Sequence, residues 1–273
     1  MTKELDKFRM DGRVAIVTGG AGLLGSEFCR TLAEAGAAVV VADLDATRAE
    51  DHAAGLRAAG GKAIGLGLDV TQPESVNRAI SRVRTEHGRV DVLVNSAALD
   101  PKFDPAHHEQ AANAFEDYPL EMWNQALAVN LTGMFLCSQA VSRPMLEQGT
   151  GVIINICSTY GLVGPDQRIY AQPGKPRQFK PVYYSVTKAG VLGMTRYLST
   201  YFAGTGVRVN ALTPGGVFND HDDGFVANYS ARTVLGRMAR KDEMNGALLF
   251  LASDASSYMT GSNLIVDGGW TAW

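Results

Sequence analysis

The stretch Gly19-Gly20-Ala21-Gly22-Leu23-Leu24-Gly25 lies between a short apolar run, Arg13 to Val17, and a helical pattern that extends to Gly36. A buried strand, a glycine turn and a helix in this order form the context in which a chain can bind a dinucleotide. The glycines let the backbone approach a pyrophosphate, and the helix N-terminus supplies N–H groups and a positive dipole end. A plain strand-to-helix turn would show the same glycines, so the next strand decides between the two interpretations.

That next strand, Ala38 to Ala42, ends in Asp43. A carboxylate about twenty residues after the glycines can accept hydrogen bonds from the adenosine ribose, and it would repel a 2′-phosphate. Asp43 therefore supports the nucleotide interpretation and favours NAD over NADP. The same carboxylate could instead cap or solvate a strand end, and Asp45 is a less well-placed substitute.

Apolar runs and helical patterns alternate along the rest of the chain. Further strands are predicted at 62–68, 90–94, 151–156, 207–212 and 263–266. This alternation predicts one α/β domain over residues 1–273, a single doubly wound parallel sheet (Rossmann fold) of about seven strands with helices on both faces. Substrate-side insertions are predicted near 99–118, 162–181 and 219–233, the last as a mobile lid.

Composition excludes several classes of partner. The chain has 46% apolar and 19% charged residues and a net charge of −3, so it offers no basic surface for nucleic acid or an anionic membrane. No apolar run approaches the ~20 residues of a membrane span, and the polar N-terminus does not resemble a signal peptide. The three cysteines have no paired spacing, which predicts reduced thiols in a cytoplasmic protein. The histidines lack metal-ligand spacing, so no metal is expected.

Tyr184 and Lys188 are four residues apart in an apolar, helix-compatible run, so their side chains can share one site on a helix. A tyrosine with a pKa of ~10 is a poor base, but an ammonium about 4 Å away would lower that pKa by roughly three units. The phenol then becomes a candidate general base. Such pairs are also common on helix surfaces, so the interpretation depends on the residues that accompany this one.

Ser158 and Asn130 are the accompanying residues. Ser158 follows the run Gly151 to Ile156, and a hydroxyl just past a central parallel strand faces the crevice where such sheets bind ligands. Ser158 could equally cap a turn. Asn130 lies inside a helical pattern from Leu120 to about Glu147, where asparagine is unfavourable because it competes for backbone hydrogen bonds.

These features, at these places in the chain, resemble the short-chain dehydrogenase/reductase family over nearly the whole sequence. The resemblance implies that Tyr184 takes the alcohol proton, while Lys188 lowers its pKa and binds the nicotinamide ribose. It also implies that Ser158 hydrogen-bonds the substrate oxygen and that Asn130 bends its helix and holds a relay water. Besides Tyr184 and Lys188, the residues expected to contact NAD are Gly19, Gly22, Leu24, Gly25, Asp43, Leu44, Asp69, Val70, Asn95, Ala97, Pro214, Gly215 and Val217.

The expected reaction is reversible hydride transfer between NAD and a secondary alcohol or ketone, on a sugar or polyol derivative. Two alternatives remain. Single-domain members of the family usually carry glycine where this chain has Leu23, and the spacing of Gly19, Gly22 and Gly25 is that of sugar-nucleotide epimerases and dehydratases. A non-catalytic NAD-binding regulator is the second alternative, and the presence of all four catalytic residue types argues against it.

Ser158 and Tyr184 are 26 residues apart, about twice the separation in minimal family members. The extra segment, 162–181, resembles that of bacterial surface-sugar pathway members and carries Arg168, Lys175, Arg177 and Lys180 against one acid, Asp166. It could be a solvated loop, or it could bind an anionic substrate group at the crevice. Arg168 and Arg177 suit the second role because a guanidinium is planar and donates from two prongs.

The aromatic tail, Trp270 to Trp273, is expected to lie in a subunit contact of a homotetramer or homodimer. The only other expected partner is a small-molecule substrate.

Overall fold

The structure is a computed structural model that describes residues 3–100, 113–171, 174 and 176–273. Its strands are β1 Val14–Thr18, β2 Ala38–Asp43, β3 Lys62–Gly67, β4 Val92–Asn95, β5 Gly151–Ile156, β6 Val207–Pro214 and β7 Asn263–Val266. Its α-helices in the described residues are α1 Leu23–Glu34, α2 Ala46–Ala58, α3 Pro73–His87, α4 Leu120–Leu127, α5 Met134–Gln148, α6 Val182–Tyr201, α7 Asp223–Ser230 and α8 Asn245–Ala252.

All strands of the described sheet are parallel, in the order β3-β2-β1-β4-β5-β6-β7. Chain order runs outward in both directions from β1, which pairs with β2 on one side and with β4 on the other. This is a doubly wound sheet, as the sequence predicted. The reversal between β1 and β4 opens a crevice at the carboxyl ends of these strands, and the glycine turn lies at its edge.

Both faces of the sheet are covered, which explains why the strands read as continuous apolar runs rather than alternating ones. On one face the sheet packs against Phe28 and Leu32 of α1 and Leu248 of α8. On the other it packs against Val83 of α3 and Val141 of α5. These side chains are fully buried, so the strand ends that carry the polar residues are held rigidly.

Two elements differ from the sequence-based expectations. The helix predicted from Leu120 to Glu147 is interrupted by a π-helical segment, Ala128–Gly133, that contains Asn130. The segment predicted as a mobile lid, 219–233, contains the helix α7, which was not predicted. This helix begins after Asp222, where the Asp222 carboxylate accepts a hydrogen bond from Phe225 N at 3.0 Å. Most of the first predicted insertion, and Lys175 of the second, lie outside the described residues.

Candidate active site

The glycine turn is packed too closely for side chains. Gly19 has φ = +63°, and a Cβ added to it would lie 2.9 Å from Ala97 Cα. A Cβ on Gly25 would lie 2.1 Å from the Gly19 carbonyl oxygen, so α1 can contact the turn only through glycine at that position. Helix α1 begins after Gly22 without a side-chain cap. Its first-turn N–H groups thus remain available for an anion such as a pyrophosphate.

Asp43 lies at the end of β2, directly beside this turn. Its Oδ2 accepts a hydrogen bond from Ala21 N at 3.0 Å, and the neighbouring Leu44 is exposed. Thr18, at the end of β1, connects the turn to the residues that follow β4. Its Oγ1 accepts hydrogen bonds from Ser96 N and Ala97 N, both at 3.1 Å. Sequence reasoning assigned Thr18 no role, although its place before the first glycine was the available signal.

Asn95, at the end of β4, is fixed by a buried polar network. Its Nδ2 donates to Ser138 Oγ at 3.1 Å and to Asn155 Oδ1 at 2.9 Å, and Asn155 Nδ2 donates to Thr195 Oγ1 at 3.0 Å. The network ties β4 and β5 to α5 and α6. Asn155 was not predicted, and its signal was a polar residue inside an otherwise apolar strand.

The remaining residues expected to contact NAD line the same edge of the sheet. The Asp69 carboxylate accepts hydrogen bonds from Thr71 N and Oγ1 at 2.9 and 2.7 Å, and Val70 packs against Gly133 of the π-helical segment. Pro214 ends β6. Gly215 after it touches the backbone of Asp267, since a Cβ there would lie 2.7 Å from Asp267 Cα. Val217 forms a parallel bridge with Ala239.

The structure brings Ser158, Tyr184 and Lys188 together at the carboxyl end of β5. Ser158 caps a short 3-10 turn, and its Oγ accepts a hydrogen bond from Tyr160 N at 3.2 Å. Tyr184 and Lys188 lie one turn apart on α6. The Lys188 ammonium donates to the Ile156 carbonyl at 2.9 Å and lies 5.8 Å from the centroid of the Tyr184 ring.

The pKa of Tyr184 moves in the opposite direction to the sequence-based expectation. Burial raises this pKa well above its usual value, the charge of Asp100 raises it further, and a hydrogen bond with Ser158 partly offsets the rise. Burial also lowers the pKa of the Lys188 ammonium. In the protein alone, burial outweighs the effect expected of Lys188, whose ammonium donates to the Ile156 carbonyl. A further positive charge near the phenol would counteract this burial and favour the phenolate.

Lys188→Met should shift the pH profile of alcohol oxidation to higher pH. The ammonium lies 5.8 Å from the centroid of the Tyr184 ring, close enough for its charge to stabilise the phenolate and lower the pKa of Tyr184. Oxidation requires the phenolate, so the rate rises with pH up to the pKa of Tyr184, and loss of the cation raises that pKa. The measurement is kcat against pH, with Lys188→Arg as the charge-retaining control. An unmoved profile in Lys188→Met would contradict this role.

Asn130 is buried in the π-helical segment, and its amide is fully engaged. Its Oδ1 accepts a hydrogen bond from Leu99 N at 2.7 Å, and its Nδ2 donates to Leu99 O and to Thr187 Oγ1, each at 3.2 Å. Asn130 thus fixes both the chain that follows β4 and the residue before Lys188. The distorted helix agrees with the expected bend, and the relay water stays a prediction.

The cations of the 162–181 segment have different surroundings. The Arg168 guanidinium forks onto the Asp166 carboxylate, with both distances 2.8 Å, and its side chain is 80% exposed. Arg177 lies over the Phe179 ring, 5.0 Å from its centroid. The Lys180 ammonium lies 4.0 Å from the centroid of the Tyr184 ring, so among these described cations it is the one that reaches the catalytic tyrosine.

An aromatic cluster, named here for Tyr160, Tyr170, Tyr229 and Trp270, forms the wall beside Tyr184. Tyr160 meets Tyr184 edge to face at 6.4 Å, and Trp270 stacks on Tyr229 at 4.2 Å. Trp270 is only 6% exposed within its own chain, which removes the reason for placing it in a subunit contact. The terminal Trp273 is exposed and donates from Nε1 to the Arg232 carbonyl.

No described helix is long and apolar enough to cross a membrane. In the same part of the chain, no group of three or more His, Cys, Asp or Glu side chains is arranged to hold a metal ion. Cys29, Cys137 and Cys157 are unpaired and buried, and burial raises the pKa of each thiol.

The fold and the site together define a nucleotide-dependent oxidoreductase, and comparisons with known proteins place the chain in a family. A family model described as enoyl-(acyl carrier protein) reductase matches residues 20–271. The cis-4-hydroxycyclohexanecarboxylate dehydrogenase of Sinomonas cyclohexanicum is 38% identical over 264 residues, covering 95% of this chain and 97% of that protein. The D-threitol dehydrogenase of Mycolicibacterium smegmatis is 38% identical over 269 residues, covering 97% of this chain and 95% of that protein.

A solved gluconate 5-dehydrogenase from Burkholderia cenocepacia J2315, in complex with NADP and tartrate, has a TM-score of 0.86 to this chain. It is 33% identical and covers 99% of this chain and 100% of its own. The chain belongs to the short-chain dehydrogenase/reductase family and is an oxidoreductase that acts on CH–OH groups.

Proposed function

We propose that this protein is an NAD-dependent dehydrogenase that interconverts a secondary alcohol and a ketone on a polyol, sugar or similarly hydroxylated ring. The observation that carries the proposal is the convergence of Ser158, Tyr184 and Lys188 beside the glycine turn, at the carboxyl edge of the sheet. Relatives whose names state D-threitol and cis-4-hydroxycyclohexanecarboxylate as substrates support this class of alcohol.

The residues present fit a dinucleotide. The uncapped N-terminus of α1 and the close-packed Gly19 and Gly25 would hold the pyrophosphate, and Asp43 would accept from the adenosine ribose. When bound, oxidised NAD accepts the hydride and adds a positive charge near the phenol. Such a charge would complement Lys188 and counteract the burial that raises the pKa of Tyr184.

In the oxidation direction, the Ser158 hydroxyl would orient the substrate oxygen and the Tyr184 phenolate would take its proton. The C–H bond of the carbinol carbon then breaks with both electrons leaving as hydride, and the C–O bond becomes a carbonyl. Lys188 would stabilise the phenolate and position the nicotinamide ribose. Reduction reverses each step, with Tyr184 as the proton donor.

A substrate screen that follows NADH absorbance tests the function. The panel should contain polyols, sugars, sugar phosphates and hydroxylated cyclohexanes, each with NAD and with NADP. Net NADH formation with one class of secondary alcohol is the expected result. Isomerisation of a sugar nucleotide without net NADH would support the epimerase alternative instead.

Asp43 is expected to set the cofactor preference. Asp43→Ser removes an acceptor for the ribose, so NAD affinity should fall between about 10-fold and 100-fold while the gap to NADP narrows. Asp43→Asn is the matched control, because it keeps an oxygen that can accept from Ala21 N but removes the charge. The measurement is Kd for both cofactors. A wild-type enzyme that turns over NADP as well as NAD would show this assignment to be wrong.

The assembly is proposed to be a homotetramer, with a homodimer as the alternative, and the location cytoplasmic. Light scattering at micromolar concentration tests the assembly, and a species of 29.1 kDa would rule it out. The likeness of the 162–181 segment to bacterial surface-sugar enzymes is tested by the sugar members of the substrate panel.

A further inference from the structure

Lys180 presents the ammonium of a part-buried side chain to the reacting tyrosine. Its Nζ lies 4.0 Å from the centroid of the Tyr184 ring, and its side chain is only 11% exposed. It forms an ion pair with Asp100, at 2.5 Å, whose side chain is 57% exposed. The two partners differ in how much they depend on the ion pair. The less exposed Lys180 needs a counter-ion, whereas the more exposed Asp100 can be released to water at little cost.

The backbone holds Lys180 in this place. Gln167 makes two hydrogen bonds to the Lys180 main chain, accepting from its N at 2.8 Å and donating to its carbonyl at 3.3 Å. Gln167 begins the 3-10 turn Gln167–Tyr170, and this turn is tied to α7 because Asn228 Nδ2 donates to the Ile169 carbonyl at 3.3 Å. The segment between Ser158 and Tyr184 thus positions one cation at the reaction centre.

The neighbouring arginine is already neutralised. Arg168 lies one residue from Gln167 but forks onto Asp166, and Arg232 binds the same carboxylate at 2.6 Å. These hydrogen bonds lower the pKa of Asp166 to about 2, so this ion pair persists at any working pH. The role of Arg168 as an anion ligand stays a prediction. The geometry favours Lys180 for that role, because its ammonium lies at the reacting tyrosine.

We propose that Lys180 binds a carboxylate of the substrate, and that this carboxylate replaces Asp100 on the ammonium. The proposal rests on the proposed function and narrows its substrate to hydroxy acids. The present partner of Lys180 is itself a carboxylate, which shows that such a group fits there. Because the ammonium lies over the Tyr184 ring, the acid and the reacting hydroxyl would be separated by a short carbon skeleton, which the aromatic cluster can pack against.

The test compares an acid with its neutral counterpart, cis-4-hydroxycyclohexanecarboxylate with cis-4-methylcyclohexanol. Lys180→Met keeps the side-chain length over the ring and removes the charge. We expect KM for the acid to rise between about 10-fold and 150-fold, the range for a lost hydrogen bond to a charged group. KM for the neutral alcohol should change little, and any loss of kcat through the Tyr184 phenolate should be common to both substrates. Asp100→Asn should act in the opposite direction and lower KM for the acid, because it removes the competing carboxylate.

A binding measurement separates this proposal from the proposed function. Cyclohexanecarboxylate lacks the reacting hydroxyl, so its Kd for the NAD-loaded enzyme can be measured whether or not any alcohol is oxidised. The expected result is weaker binding to Lys180→Met by the same factor, with NAD affinity unchanged. If no alcohol is oxidised but this difference appears, the proposed function fails and the anion site stands.

Three results would overturn the assignment. Equal changes of KM for the acid and the neutral alcohol in Lys180→Met, with any loss confined to kcat, would mean that Lys180 acts on Tyr184 rather than on the substrate. A rise in KM for the acid in Arg168→Gln, without one in Lys180→Met, would transfer the role to Arg168. A rise in KM for the acid in Asp100→Asn would make Asp100 part of the binding site and exclude the exchange.

Discussion

Tyr184→Phe is expected to lower kcat by about 10²–10⁴-fold, the usual effect of losing an acid–base group. The substitution removes the phenolic oxygen and keeps the ring, so the contacts with Tyr160 and with the Lys180 ammonium are retained. Affinity for NAD should change little, because the ring is not needed for the pyrophosphate or the adenosine ribose. Steady-state kinetics with the best alcohol of the screen, and fluorescence titration of NADH, measure the two effects separately.

Tyr183→Phe is the control for this experiment. Tyr183 is 3% exposed and packs against Tyr118 with ring centroids 6.0 Å apart, and its partner one turn along the helix is Thr187 rather than a cation. Because Tyr183→Phe removes only this hydroxyl, kcat of the variant should stay close to that of the wild type. If Tyr183→Phe were the more damaging change, the assignment of the base on this helix would be off by one residue.

The environment of Tyr184 suggests how the reaction is confined to the assembled complex. Burial raises the pKa of the phenol and lowers that of the Lys188 ammonium, so the protein alone disfavours both charged forms. A bound oxidised nicotinamide would supply positive charge and so favour the phenolate. A bound substrate acid would add nothing to this effect, because its carboxylate takes the place of Asp100 on the same ammonium.

The fold could be predicted from the sequence because its signals are local. Strands buried on both faces give continuous apolar runs, and helices separate them, so the boundaries of β5 and β7 agree with the prediction to the residue. A bend at Asn130 was expected from the family resemblance, but its π-helical form could not be predicted. It depends on the Leu99 backbone and Thr187, which are distant in sequence and satisfy the Asn130 amide.

A site residue could be predicted from the sequence where the backbone accepts only one residue type. It could not be predicted where its role depends on which side chain it pairs with in the fold. Glycine at 25 follows from spacing alone. In contrast, the sequence favoured Arg168 over Lys180 as an anion ligand because guanidinium groups suit carboxylates. Only the fold shows that Arg168 already forms an ion pair with Asp166. The same limit applies to Trp270, whose position near the terminus favoured a subunit contact although Tyr229 buries it within the chain.

Gly25→Ala is expected to lower affinity for NAD by at least about 100-fold. The added Cβ would lie 2.1 Å from the Gly19 carbonyl oxygen and 3.0 Å from Gly20 Cα. Both are backbone atoms, so the clash cannot be relieved by rotation of a side chain, and α1 must move away from the turn that it caps. Overpacking of this kind costs about 1–3 kcal/mol or more, and here the displaced atoms are those expected to hold the pyrophosphate.

Gly55→Ala is the matched control, because Gly55 lies in the exposed part of α2 and a Cβ there would meet no atom within 4 Å. This change should stabilise the protein by roughly 0.5–1 kcal/mol, since alanine favours the helix over glycine. NADH titration and thermal unfolding of both variants give the measurement. Unimpaired NAD binding in a folded Gly25→Ala protein would mean that the dinucleotide does not bind at this turn. Equal losses of affinity in both variants would point to a general effect of replacing glycine.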